Sequence, residues 1–196
     1  GERNIPLMNI TVLLGGDSPE RDVSLSSGRE IIGALRERGH RTVALDPALP
    51  PGTSLDLKKI GIGTEPPGKI PRVDRKCAFD WLGSPAILSA DVIFNALHGG
   101  RGEDGTIQAL LESAGVIYTG AGVLGSGLAM NKDRSKALMR EAGVPVADHI
   151  LIRTGERITD RRLQEMVSDR MGLPVVVKPN SQGSSVGFSF VRDPEE

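Results

Sequence analysis

Two short apolar runs, each closed by a pair of glycines, constrain the fold of this chain most. Ile10 to Leu14 runs into Gly15-Gly16, and Asp91 to Leu97 runs into His98-Gly99-Gly100. A short apolar run that ends at a loop signal is the mark of a strand covered on both faces, as in a parallel sheet. The segment after the first run agrees. Leu25, Gly28, Ile32 and Leu35 recur at helical spacing, Gly39 stands where a helix C′ residue belongs, and Arg41 to Leu45 reads as a second strand. The chain therefore opens β-loop-α-β, the unit of a parallel sheet. After the third strand, Ile107, Leu110, Leu111 and Ala114 form a one-sided helix closed by Gly115, and Val116-Ile117-Tyr118 reads as a fourth strand.

The rest of the 196 residues divides by texture. Gly1 to Leu7 lacks pattern and reads as an expression scar or loose terminus before Met8. Pro47 to Ala90 holds seven of the 13 prolines without a sustained period, which predicts an irregular excursion with a short helix near Phe79 to Leu82. A helix over Asp133 to Ala142 is stopped by Gly143 and Pro145. Beyond it, a helix pattern at Leu163, Met166 and Val167 precedes the strand Val175 to Lys178, a Gly/Ser loop and the strand Phe188 to Val191. The change to β-loop-β grammar predicts an α/β first domain over 8–131 and the start of a second domain over 132–196.

Composition excludes several classes. Lys+Arg 24 against Asp+Glu 25 gives 24 − 25 = −1, which argues against nucleic acid or an anionic membrane as partner. No apolar stretch approaches the roughly 18–20 residues of a membrane span. The single cysteine, Cys77, forbids an internal disulfide framework. With aromatics at 3%, aliphatic runs must supply the core. These features predict a soluble, cytoplasmic protein.

Three glycine arrangements offer different chemistries. Gly120-Ala121-Gly122-Val123-Leu124-Gly125 is a literal G-x-G-x-x-G with Asp148 downstream, the signature of a dinucleotide cradle. Gly183-Ser184-Ser185-Val186-Gly187 fits a G-x-S-x-G nucleophile elbow, but an elbow needs a helix after it, and Phe188 to Val191 is β-rich. The same loop also reads as a hairpin lid whose N–H groups and hydroxyls donate to phosphate oxygens beside Lys178. A plain exposed hairpin is the alternative. His98-Gly-Gly-Arg101-Gly102-Glu103-Asp104-Gly105 and Asp17 to Ser24 both fall after strands, where open parallel sheets bind ligands. Asp104 also suits a helix cap, and a metal set of His98, Glu103 and Asp104 lacks helical ligand spacing.

Taken together these residues resemble the D-alanine–D-alanine ligases of the ATP-grasp superfamily. The resemblance runs in order through Leu14 to Leu25, Ala96 to Gln108, Tyr118-Thr119-Gly120, Met130 to Lys136, and Val177-Lys178-Pro179 to Gly187. Ala109 and Asn131 depart from it, since the family usually has Gly and Asp there. The resemblance implies a doubly wound, pre-ATP-grasp N-terminal domain followed by the start of an α+β ATP-grasp domain. It implies ATP-dependent ligation of two D-alanines for peptidoglycan precursor synthesis, through a D-alanyl phosphate. Glu20 then holds the first D-alanine's ammonium, Val23 packs beside its methyl and His98 lies near it. Lys132 and Lys178 bind ATP phosphates from opposite sides of a cleft between domains, Gly183, Ser184 and Ser185 close over the γ-phosphate, Ser185 is also near substrate, and Glu20 and Ser184 give catalytic support. The implied magnesium or manganese takes its ligands beyond Glu196, so no metal ligand is expected here and the stretch alone is expected to be inactive. A homodimer is implied as well.

Overall fold

The computed structural model describes residues 6–60, 70–71, 73, 79–184 and 186–193. Strand β1 (Asn9–Leu13) is buried at every position except Asn9. It pairs in parallel with β2 (Arg41–Leu45) on one side and β3 (Val92–Asn95) on the other, giving the order β2-β1-β3. Alternate β1 residues feed two cores. Leu13 packs with Trp81, Ile87, Ile93, Leu97, Ile107 and Leu111, whereas Ile10, Val12 and Leu14 pack with Ile32 and Ala96. This is the two-sided cover of a doubly wound sheet, produced by the period of two along the central strand. Thr11 is buried among them, and its hydroxyl is satisfied by the Ala86 carbonyl at 2.5 Å.

Helix α1 (Arg21–Glu37) turns Ser24, Gly28 and Ile32 inward, residues four apart on one face. A Cβ on Gly28 would lie 2.5 Å from Leu14 Cβ, so the helix rests on the strand end as only glycine permits. Within the proline-rich excursion, the expected short helix is a 3₁₀ turn over Asp80–Gly83, followed by α2 (Pro85–Leu88). Together they drive Trp81, 2% exposed, into the core. Cys77 lies outside the described residues. Helix α3 (Thr106–Ser113) buries Ile107, Gln108 and Leu111.

The expected fourth strand reduces to one parallel bridge between Ile93 and Tyr118. Ile93 N–H donates to the Ile117 carbonyl at 2.8 Å, and Thr119 N–H to that of Ile93 at 2.9 Å. Gly115 and Gly120 turn the chain with φ of +67° and +112°, leaving too few extended residues for a ladder.

The chain separates into two compact units, Gly1–Gly127 and Leu128–Glu196. The division falls within α4 (Val123–Met130). The second unit holds α5 (Lys132–Glu141), α6 (Asp160–Arg170) and an antiparallel pair of β4 (Val175–Val177) with β5 (Ser189–Val191). Asn131 caps α5 by accepting from Arg134 N–H at 3.1 Å, and Thr159 caps α6 from Arg162 N–H at 3.3 Å.

Candidate functional site

The loops leaving β1, β2 and β3 meet at the C-terminal edge of the first sheet. Their backbone groups are held by side chains. Gly15 N–H donates to Ser24 Oγ at 2.8 Å, and that hydroxyl donates to the Ala96 carbonyl at 2.7 Å. Asp46, at the end of β2, accepts from Gly16 N–H at 3.0 Å and Ala48 N–H at 2.9 Å. Its other oxygen lies 2.5 Å from Arg21 Nη2, and Arg21 Nη1 donates to the Gly16 carbonyl at 2.6 Å. The Asp46 side chain is 1% exposed and that of Arg21 12%, so this ion pair is part of the interior.

Around that frame opens a small cleft, lined in part by Gly15 to Ser18, Trp81, His98, Gly99 and Arg101. Ser18 is its hub. The Ser18 hydroxyl donates to the His98 carbonyl at 2.5 Å and accepts from Glu20 N–H at 3.1 Å. Beside it the Glu20 carboxylate packs against Gly99, where an added Cβ would stand 2.9 Å from Oε1. Gly99 has φ +68°, its N–H donates to Glu103 at 2.9 Å, and only glycine leaves room there. Glu20 Oε1 is buried and has no hydrogen-bond partner. A buried carboxylate oxygen left so is costly unless a cation or donor meets it. His98 lines the cleft, Glu20 borders it through Ser18 and Gly99 without lining it, and Val23, on α1, is 53% exposed.

Neighbouring motif residues have structural duties. Gly102's carbonyl accepts from Asn95 Nδ2 at 2.9 Å and Gln108 Nε2 at 2.8 Å, fixing the turn before α3. Asp104 accepts from Thr106 N–H at 2.9 Å, a turn bond made one residue ahead of Gly105, which takes the N-cap position in its place. Among the described residues no three His, Cys, Asp or Glu side chains converge to hold a metal ion.

The Gly120 to Gly125 motif enters α4, but Glu112 already serves that helix start. Its Oε1 accepts from Val123 N–H at 3.3 Å and from the Tyr118 hydroxyl at 2.6 Å. A carboxylate thus occupies the place a pyrophosphate would take. The hydrogen bond to Glu112, with burial and the carboxylate charge behind it, pushes Tyr118 up to about 12 from 10.0. Because the folded value is raised, its contribution is present below pH 10 and is lost as pH rises toward 12. In an absorbance difference titration near 295 nm, Glu112→Gln is expected to bring the Tyr118 midpoint down toward 10. Coincident titrations of parent and variant would refute the assignment.

In the second unit, Lys132 Nζ donates to the Gln182 and Asn180 carbonyls, and Lys132 N–H donates to Asn180 at 3.1 Å. The Asn180 side chain accepts from Asp133 N–H at 2.9 Å and donates to Asn131 at 3.0 Å. The start of α5 is thereby tied to the loop between β4 and β5. Lys178 is exposed at the end of β4. Burial, and then the Lys178 charge, lower the Lys132 pKa, and the same two causes lower that of Lys136 with Arg140 adding to them. The Lys178 charge acting on both Lys132 and Lys136 marks a cationic patch suited to a polyanion. The sequence sets Lys132 and Lys178 on opposite sides of a cleft between domains; both in fact belong to this one unit. In the loop, Ser184 adopts a φ of +53°, unusual for a residue with a Cβ. Gly183 precedes it, and Ser185 lies outside the described residues. Gly187 leads into β5 and not into a helix, which removes the nucleophile elbow.

Sequence reasoning alone misses Asp46 and Asn180, and it includes Ser18 and Lys136 in its candidate stretches without giving either a role of its own. A signal existed for Asp46, an acid directly after a strand at the ligand-binding edge.

Comparison with known proteins points to one family. The family profile described as D-ala D-ala ligase N-terminus matches residues 9–121, and that described as D-ala D-ala ligase C-terminus matches 138–196. A D-alanine–D-alanine ligase of Syntrophobacter fumaroxidans is 40% identical over 192 residues, covering 96% of this chain and 50% of the relative. One of Geobacter sulfurreducens is 40% identical over 187 residues, covering 95% and 48%. The crystal structure of a Bacillus anthracis D-alanine–D-alanine ligase complexed with ATP superposes with a TM-score of 0.67 at 30% identity, over 96% of this chain and 51% of that one. The chain spans about half the length of the relatives it matches.

Proposed function

Since the chain belongs to the D-alanine–D-alanine ligase family, we propose that the protein ligates two D-alanines with ATP, making the dipeptide used in peptidoglycan precursors. The observation that carries this reading is the buried, unpartnered Oε1 of Glu20 at the sheet edge. An α-ammonium is the partner that such an oxygen lacks. Glu20 holds the first D-alanine by that group, His98 borders it, and Val23 faces its methyl.

A carboxylate is a poor electrophile until phosphorylated. In this reading the first D-alanine's carboxylate attacks the γ-phosphorus of ATP, and the bond to the β-bridging oxygen breaks to release ADP. The amine of the second D-alanine attacks the acyl phosphate carbon, loses a proton, and expels phosphate. The chain's own contribution is positioning and charge neutralisation. Lys132, Lys178 and the donors of Gly183, Ser184 and Ser185 receive the phosphates. Ser184 is the loop residue assigned catalytic support, and a closed loop would exclude water from the acyl phosphate. A divalent cation, magnesium or manganese, would offset triphosphate charge, and none of the residues named here is assigned to hold it. ATP as co-substrate favours a cytoplasmic reaction. Among the described residues no helix is long and apolar enough to cross a membrane. A homodimer is part of the same reading.

Phosphate release by the full-length protein tests it. With ATP and a divalent cation, D-alanine is expected to stimulate release and yield dipeptide. Release indifferent to D-alanine would overturn the reading. Lys178→Met is expected to raise KM for ATP about fivefold, the modest value suited to an exposed lysine, and to leave KM for D-alanine unchanged. Equal ATP kinetics in variant and parent would remove Lys178 from the nucleotide site.

A further inference from the structure

Besides Ser18, a second contact joins the β1–α1 loop to the turn after β3. Arg101 Nη2 bonds Asp17 Oδ2, and Arg101 Nε lies 3.3 Å from Asp17 Oδ1, a two-pronged guanidinium–carboxylate pair. Both residues line the cleft, and their side chains are 39% and 32% exposed, which sets the pair at the rim. Next to the pair in both loops, the Ser18 hydroxyl spans to the His98 carbonyl, and the Glu20 carboxylate lies against Gly99.

We propose that Asp17 and Arg101 are positioning residues for the first amino-acid site: their ion pair straps the two loops together so that the free oxygen of Glu20 keeps its place against Gly99 and faces the bound ammonium. Neither residue touches substrate in this assignment. The inference rests on Glu20 being the partner of that ammonium. Its physical basis is lever and distance. Asp17 is three residues before Glu20, and Arg101 is two after Gly99, so a shift at the strap opens the contact that orients the carboxylate. Bidentate geometry fixes direction as well as separation, which a single lysine would not. Partial exposure makes the strap sensitive to salt, unlike the buried Arg21–Asp46 pair.

The test uses the full-length protein and four variants, with KM for the first D-alanine, KM for ATP and kcat as readouts. Asp17→Asn, an isosteric change, and Arg101→Met are each expected to raise the first-site KM about three- to fivefold, the scale of a half-exposed pair. ATP KM and kcat should stay within twofold. The charge exchange Asp17→Arg with Arg101→Asp is expected to recover most of the loss, and 0.5 M KCl to shrink the difference between parent and single variants. Parent-like first-site KM in both single variants would overturn the strap, as would an exchange that recovers nothing or losses spread equally over kcat and ATP. Glu20→Gln serves as reference. If it alone weakens the first site, the strap is wrong and the ammonium reading stands; if it too is parent-like, the ammonium reading fails and the strap with it.

Discussion

Asp46→Ala is expected to destabilise the first unit by about 3–5 kcal/mol, the cost of stranding one member of a buried ion pair. Arg21 keeps only 12% of its side chain exposed, so its charge cannot recover hydration once the carboxylate is gone. The Gly16 and Ala48 N–H groups lose their acceptor at the same time, and each buried unmet donor adds to the loss. Replacing both partners has a different logic. Asp46→Ala combined with Arg21→Met removes the stranded charge, and the double variant should be more stable than Asp46→Ala alone, by at least about 1 kcal/mol on the same scale. Urea unfolding followed by Trp81 emission measures this, since Trp81 is buried in the core beside the sheet. A single variant within about 1 kcal/mol of the parent would show that water reaches Arg21 and that the pair is not interior.

The first unit was legible where its signals are local. A strand end at Gly15-Gly16, a helix stop at Gly39 and a one-sided helix before Gly115 each announce themselves within a few residues, and β1, α1, β2, β3 and α3 stand where those marks put them. Val116 to Tyr118 was misleading for the same local reason. Its residues favour a strand, but the flanking glycines turn the chain after a single bridge, and turning is decided by backbone φ rather than by side-chain type. The position of Asp46 directly after a strand marks it locally, but its role depends on Arg21 across the sheet edge. Asn180 is similar. Its amide reads as a loop residue until Asn131 and Asp133 come to it from the start of α5. The roles of Glu20 and Ser184 came from resemblance to the family, since an isolated glutamate after a proline has no pattern of its own. The structure adds what a pattern cannot contain, a carboxylate oxygen without a partner.

That oxygen sets the largest expected functional effect. In the full-length protein, Glu20→Gln should raise KM for the first D-alanine at least tenfold and leave KM for ATP unchanged. A charge-assisted hydrogen bond is worth about 1.5–3 kcal/mol, which corresponds to roughly 10- to 150-fold. Gln keeps the shape of Glu and loses the charge. If its oxygen faces the ammonium, the bond survives in weakened, neutral form; if its NH₂ does, donor meets donor. The carboxylate has no such ambiguity. Gly99→Ala probes the same contact from the opposite wall. Its Cβ would stand 2.9 Å from Oε1 on a backbone at φ +68°, so the side chain must move or the turn must strain. The two variants should therefore weaken the same substrate, Glu20→Gln through charge and Gly99→Ala through position. Glu20→Gln with parent-like first-site KM would remove the ammonium from this oxygen. Loss in Gly99→Ala alone would then mark the turn, rather than the carboxylate, as what the amino acid meets.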